Sequence, residues 1–396
     1  MIQRILADKL KKSAGQYPVV TLTGPRQSGK TTLVKMVFPE YRYVSLESPD
    51  QRLFAVDDPK GFLNSFRDGV ILDEVQRTPE LFSYIQGIVD EDDRPGQFIL
   101  SGSQNFLLMD KISQSLAGRT AIHYLLPFSK REILNEKPVH PDDFPSIQDS
   151  KEGYHDLWEL CFTGFYPRIY DKGLDPQEWL AGYYQTYIER DVRTVINVGD
   201  LNTFGTFLRL CAARVGQLVN FSSLAADCGI SNMTAKRWLS VLQTSFIIMP
   251  IQPHFDNLNK RLIKTPKIYF LDTGLLSFLL GIRTKGELQF HAQKGAVFES
   301  FVFAELIKSF YNFAQIPNIY FWHDVQRHEV DFLIDRGSKV LPIEVKSGAT
   351  ITSDQLKNLN YYYGLAGSKS ESPLLIYAGN ENYMRNNIQV LSWQNI

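Results

Sequence analysis

The stretch Val19-Val20-Thr21-Leu22-Thr23, followed at once by Gly24-Pro25-Arg26-Gln27-Ser28-Gly29-Lys30-Thr31, constrains this chain more than any other. The first part is a β-branched run of the kind that forms strands, with Pro18 just ahead of it, where a strand tolerates proline. The second is a GxxxxGK[ST] loop, and Thr31 to Val37 then favours helix. Strand, glycine loop and helix in that order wrap backbone N–H groups around phosphates and add the positive end of the helix dipole. Gly24 and Gly29 allow the loop conformation, and Pro25, Arg26, Gln27 and Ser28 complete the cradle. Lys30 is placed for the β- and γ-phosphates, Thr31 for Mg²⁺, and Thr32 to cap or pack beside them. Binding of a nucleoside triphosphate is expected; a chance glycine turn would not explain all three parts.

A second strand-like run, Val70-Ile71-Leu72, ends in Asp73-Glu74. Asp73 is suited to hold Mg²⁺ and Glu74 to orient and activate an attacking water, the division of labour a hydrolase needs. Read otherwise, the two acids are a solvated strand end. A third run, Gln97 to Ser101, leads into Gly102-Ser103-Gln104-Asn105, where Gln104 is a candidate for sensing nucleotide if the strands are parallel. Arg119, in Ser115-Leu116-Ala117-Gly118-Arg119, is a candidate stabiliser of phosphoryl charge, in cis or from a neighbouring subunit. It is equally suited to a surface ion pair.

With 396 residues, 44% of them hydrophobic, the chain has material for two or three cores, and a net charge of -1 gives it no global pull towards nucleic acid or anionic membrane. Cys161, Cys211 and Cys228 show no CxxC spacing, which argues against a disulfide framework or a zinc site. The charged start, Met1 to Lys12, reads as neither a signal peptide nor a membrane span, so a cytoplasmic protein is expected. Pro138, Pro141 and Pro145 mark Asn135 to Ser150 as a connector, and helical spacing follows from Tyr154 to Val198.

Phe221 to Gln243 reads as two helices about a turn at Gly229, with Ser222 and Ser231 as caps and Met233, Trp238, Leu239 and Leu242 facing a core. A strand at Phe246 to Met249 and another at Ile268 to Leu271 make the arrangement winged-helix-like. Between Ile230 and Lys267 six Lys or Arg stand against one acid, Asp256, a local excess suited to DNA phosphates.

Near the end, two alternating runs, Glu329 to Asp335 and Val340 to Lys346, flank Gly337-Ser338 and predict a β-hairpin with a two-residue loop. Closing it there pairs Arg336 with Lys339 and sets Asp331 opposite Glu344. Facing carboxylates repel unless a cation lies between them. A divalent metal held by Asp331 and Glu344, with Glu299 completing the set and Lys346 beside it, would suit phosphodiester chemistry. The same register offers a bland pairing, Glu329 with Lys346.

The D-x12-E-x-K spacing resembles the PD-(D/E)xK nuclease superfamily. Together with Leu72-Asp73-Glu74-Val75-Gln76, Tyr187-Ile188-Glu189-Arg190-Asp191, Lys267 to Asp272 and Glu344-Val345-Lys346, the chain resembles prokaryotic AAA-type ATPases that carry a C-terminal domain of unknown function related to those nucleases. Thr163-Gly164-Phe165-Tyr166-Pro167 departs from the common G-G-[FY]-P form. The resemblance implies ATP and Mg as cofactors and an α/β fold: a P-loop AAA-type parallel sheet over 1–135, a helical, lid-like region over 136–205, a winged helix over 206–285 and a nuclease-like domain over 286–396. It leaves open three uses of the nucleotide: driving a DNA-directed C-terminal half, switching a scaffold that touches only proteins, or serving a transcription regulator whose nuclease-like part is inactive. Oligomerisation is also left open, and no membrane partner is implied.

Overall fold

A computed structural model describes residues 2–66, 68–103, 114–147, 156–188, 201–254 and 265–396. Five strands, β1 (Val19–Gly24), β2 (Arg42–Ser45), β3 (Val70–Asp73), β4 (Phe98–Ser103) and β5 (Thr120–Tyr124), form a parallel sheet in the order β2-β3-β4-β1-β5. Parallel strands need crossovers that cover both faces, and the strands read as apolar runs for that reason. On β3, Val70 and Leu72 enter one core while Ile71 enters the other, as the period of two requires. The carboxyl ends of β1, β3 and β4 therefore lie along one edge. The phosphate-loop segment and Asp73-Glu74 both leave from that edge.

The middle of the chain is helical. Asn220 caps the Phe221–Cys228 helix by accepting from the Ser223 N–H, the turn is made at Gly229 (φ +65°), and Ser231 caps Asn232–Thr244. β6 (Ile248–Ile251) and β7 (Lys267–Phe270) pair antiparallel behind these helices. Four expectations change here. Ser222 is not the cap, because the helix starts at Phe221, two residues earlier than a Ser222 cap implies. Met233 is 77% exposed, one step round the helix from the buried face of Ala235, Trp238, Leu239 and Leu242. The first strand is β6, two residues later than Phe246, which turns at φ +55°. Lys267 is buried on β7 instead of joining a solvent-facing basic stretch. Lys260, Arg261 and Lys264 lie outside the described residues, as do Glu189, Arg190 and Asp191.

The C-terminal sheet adds β8 (Ile319–His323), β9 (Glu329–Asp335), β10 (Val340–Lys346), β11 (Leu374–Tyr377), β12 (Tyr383–Arg385) and β13 (Ile388–Ser392), in the order β12-β13-β11-β10-β9-β8. It is mixed, with β10, β11 and β13 parallel and the outer pairs antiparallel. The predicted hairpin is present: Arg336 donates its N–H to the Lys339 carbonyl at 2.9 Å, and Val340 pairs with Asp335, on to Ile343 with Phe332. Gly337 at φ +82° supplies the turn conformation. One face of the sheet packs on the Lys294–Asn312 helix. A single apolar core then runs from Leu126 and Phe144 through the middle helices to Trp393 and Ile396. The described part of the connector is folded into it: Phe144 is buried, and the Arg336 guanidinium bonds the Pro141 and Phe144 carbonyls.

At Gly164 two distant segments touch. Its φ is +74°, and a Cβ there would stand 2.6 Å from an Asp272 carboxylate oxygen and 2.9 Å from Gly274. Asp272, itself buried, bonds the Phe165 N–H at 2.7 Å and the Leu275 N–H at 2.8 Å. Gly164→Ala is therefore expected to cost about 2 kcal/mol or more of stability, combining left-handed strain with a clash against backbone. Urea denaturation of wild type and variant checks it; equal midpoints would contradict this packing.

Candidate functional site

The phosphate-loop segment is set by contacts that tolerate little change. Gly24 has φ +152°, and a Cβ on it would lie 2.2 Å from the Leu125 carbonyl oxygen, so only glycine fits. Gln27 and Gly29 also have positive φ, +62° and +92°, and the chain enters the Lys30–Val37 helix directly after them. Lys30 is buried with its ammonium folded onto loop carbonyls, 3.1 Å from Gly24 O and 2.7 Å from Pro25 O. Burial pushes its pKa down to about 8, against the opposing pull of Glu74 and Asp73. Such an ammonium is short of partners and gains from an anion.

Asp73, at the end of β3, is the meeting point of the site. Its Oδ2 accepts from the Thr31 hydroxyl at 2.8 Å and the Tyr43 hydroxyl at 2.8 Å; its Oδ1 accepts from Ser101 and from the Glu74 N–H at 3.2 Å. Tyr43 and Ser101 were not foreseen. The strand order puts them there, since β2 and β4 flank β3 and Ser101 is level with Asp73. Burial, and then Asp73, push the Tyr43 phenol well above its usual pKa, so it remains a donor. Glu74 adopts a left-handed conformation (φ 55°, ψ 41°) that turns it away from the strand line, and Gln76 donates to its carboxylate. The Ser28 hydroxyl is buried with no hydrogen-bond partner among the described residues. A triphosphate with Mg²⁺ fits this donor set: an unpartnered hydroxyl, an ammonium on backbone carbonyls, and Thr31 beside Asp73.

Three assigned residues fare differently. Arg119 stands at the amino end of β5, where its carbonyl accepts from the Val19 N–H at the start of β1. It is thus a strand length, roughly 15–20 Å, from the loop. Its guanidinium pairs with Asp90 on the surface, which removes the role in cis and matches the alternative reading. Thr32 is exposed on the first turn of its helix, whose N-cap position is Gly29. Gln104 lies outside the described residues.

The C-terminal carboxylates do gather. Asp331, beyond the last ladder pair, turns its Oδ2 to the Val345 N–H at 2.8 Å. Glu344 Oε1 takes the Lys346 ammonium at 2.6 Å, and Glu299 Oε1 takes the Tyr269 hydroxyl at 2.5 Å. Lys267 pairs with Glu329, so the expected Glu329–Lys346 bridge is not the one made. Burial first, and Asp331 next, raise the pKa of both Glu299 and Glu344 to about 8. Burial raises Asp331 as well, opposed by Lys346 and Lys267. Among the described residues no group of three or more His, Cys, Asp or Glu side chains is disposed to hold a metal. Each of the three carboxylates expected as ligands, Glu299, Asp331 and Glu344, receives an internal donor, and two lysines stand beside the cluster. Glu344 Oε2 alone is buried without a partner among the described residues.

An AAA domain family matches residues 16–134, a domain of unknown function (DUF8612) matches 154–286, and a second domain of unknown function (DUF4143) matches 294–396. An uncharacterized protein of Mycobacterium tuberculosis and one of Mycobacterium bovis are each 30% identical to the chain over 354 residues, 88% of this chain and 74% of theirs. Among solved structures, a Walker-type ATPase of Pyrococcus abyssi is 18% identical, with 69% of this chain and 94% of that one covered and a TM-score of 0.43. Among the described residues no helix is long and apolar enough to cross a membrane.

Two pH dependences follow from the buried charges. If Lys30 is the phosphate ligand its motif predicts, it must be the ammonium, so nucleotide affinity is expected to fall as pH rises through 8, by up to about tenfold per unit, with proton uptake on binding. Titration calorimetry at pH 7, 8 and 9 checks this; a flat wild-type profile, matching that of Lys30→Met, would contradict it. Glu299 and Glu344, raised to about 8, bind more protons folded than unfolded. Their stabilising contribution is full below the ordinary glutamate pKa and is lost as pH rises through 8. The unfolding midpoint should fall between pH 6 and 9, and Glu344→Gln should flatten that slope.

Proposed function

We propose that the chain, which belongs to one family with the two mycobacterial proteins and matches an AAA domain over residues 16–134, is a Mg²⁺-dependent ATPase whose nucleotide state acts on its C-terminal half. The observation that carries this reading is the convergence of Lys30, Thr31, Asp73 and Glu74 on one sheet edge, with the Thr31 hydroxyl 2.8 Å from Asp73. On binding, the Lys30 ammonium exchanges the Gly24 and Pro25 carbonyls for the β- and γ-phosphates. Thr31 and Asp73 would hold Mg²⁺, which supplies neutralisation of phosphate charge. Tyr43 and Ser101 keep Asp73 oriented. Glu74, steered by its left-handed backbone and by Gln76, orients water and takes its proton. Backbone N–H groups of Gln27 to Lys30 cradle the phosphates without reorganising.

For the C-terminal half we favour nucleic acid as the partner. Two short helices and the antiparallel β6–β7 pair make a winged-helix arrangement, and the second helix exposes Asn232, Lys236, Arg237 and Gln243. Phosphate contacts from such a face suit a duplex. Met233, exposed on that same helix, favours a protein partner instead. The carboxylate cluster is read as a nuclease-like scaffold held by ion pairs, with no cleavage assigned to it.

An ATPase assay with and without duplex DNA tests the reading. Wild type should hydrolyse ATP with Mg²⁺, and DNA should change the rate in a salt-dependent way. Glu74→Gln should keep ATP binding while turnover falls at least about 100-fold. Equal turnover in the two would sink the role of Glu74. A rate indifferent to DNA, with no DNA binding at low salt, would favour the protein-partner reading.

A further inference from the structure

Arg4 lies ahead of the matched AAA segment and belongs to none of the motifs, yet it is 6% exposed and stands behind the phosphate loop. Its guanidinium makes three bonds at once. Nη1 donates to the Ser28 carbonyl at 2.9 Å, Nη2 to the Leu126 carbonyl at 2.6 Å, and Nε to Glu132 Oε1 at 3.1 Å. The plane also lies over the Phe128 ring, 4.8 Å from its centroid. Glu132 is fully buried and satisfied in turn, by the Ile5 N–H at 2.9 Å and the Ser129 N–H at 2.9 Å.

A dry ion pair of this kind holds its shape, because moving either partner leaves a buried charge unmatched. The fork of an arginine fixes several acceptors relative to one another, which a lysine cannot do. Ser28 sits between Gln27 and Gly29, both at positive φ, in the part of the loop whose backbone is least stable by itself. In a trans peptide C=O and N–H point opposite ways, so tying Ser28 O to Arg4 turns the Gly29 N–H away from Arg4. That is the direction a cradled phosphate needs.

We propose that Arg4 is a positioning residue of the nucleotide site, holding the Ser28 carbonyl so that the phosphate loop keeps its binding conformation before nucleotide arrives. The inference rests on the reading that this loop binds a nucleoside triphosphate. The anchor is rigid because the Lys130–Ile133 helix that carries Glu132 is gripped from the other side. There the Lys130 N–H meets Glu305 Oε2 at 2.7 Å, and Arg131 Nη2 meets the Asn395 carbonyl at 3.1 Å.

The test titrates full-length wild type, Arg4→Met and Arg4→Lys with a non-hydrolysable ATP analogue and Mg²⁺, and records each unfolding midpoint without nucleotide. Arg4→Met should bind at least about tenfold more weakly. Arg4→Lys should fall between, since it keeps the charge beside Glu132 but loses the fork. An arginine that only supports the fold would lower the midpoint and leave the dissociation constant of the folded protein unchanged, and that result would overturn the proposal. Should Arg4→Met not fold, Arg4→Lys carries the test, with an unchanged dissociation constant again overturning it. A wild type that binds no analogue would instead overturn the nucleotide-site reading.

Discussion

A carboxylate buried at the end of a strand must find donors, and the nucleotide end of this molecule is organised around that demand at Asp73. It is 4% exposed and takes hydroxyl or N–H donors from Thr31, Tyr43, Ser101 and Glu74. These come from the helix after the loop, from β2, from β4 and from its own strand. One side chain at the end of β3 therefore ties the helix after the loop to both neighbouring strands, β2 and β4, and it does so only because the order β2-β3-β4-β1 brings their carboxyl ends together. Removing the carboxylate would leave the buried Ser101 hydroxyl without an acceptor, at about 1–3 kcal/mol, and would free the half-buried Thr31 and Tyr43 hydroxyls.

What the sequence made legible was local. The loop could be read because strand, glycines and helix are contiguous between Val19 and Val37, and the hairpin because Gly337-Ser338 fixes its register, down to Ile343 opposite Phe332. Of the two readings of Arg119, the surface ion pair could have been preferred from the sequence: the residue directly precedes the strand at Thr120, and in a parallel sheet that puts it at the amino edge, away from the loop. Tyr43 and Arg4 carried no such signal. Their roles depend on which strands become neighbours and on a pairing across 128 positions between Arg4 and Glu132. Glu329 likewise found Lys267, 62 positions away, in place of the lysine its own hairpin offered.

That exchange has an electrostatic logic. Glu299, Asp331, Glu344 and Glu329 bring four carboxylates near one another, and the hairpin supplies only Lys346 as a local cation. Lys267 arrives from β7, buried, and is held above its usual pKa by Glu299, Asp331 and Glu329 although burial works against it. Lys346 is raised likewise, by Asp331 and Glu344 against the cost of burial. Glu299 and Glu344, both raised to about 8 by burial and then by Asp331, favour their neutral forms at neutral pH, which lowers the repulsion within the cluster. The charge network of this hairpin is thus completed by a lysine from a strand distant in sequence, which the hairpin's own pattern could not reveal.

The segment after β5 joins the two ends of the molecule. Gly24 lies against the Leu125 carbonyl, Leu126 begins the core that runs on to Ile396, and the Lys130–Ile133 helix holds Arg4 on one side and the Asn395 carbonyl on the other. A close-packed interior does not absorb displacement smoothly, so a shift at the loop must be either resisted or passed along this segment. On the proposed reading the ligand-dependent change is specific: the Lys30 ammonium, held by the Gly24 and Pro25 carbonyls, would leave them for an anion. Coupling between sites amounts to what a ligand gains in one arrangement over the other, typically about 1–3 kcal/mol. Two carbonyl bonds at the point where Gly24 touches Leu125 are of that size, and they lie where the loop and the C-terminal core meet.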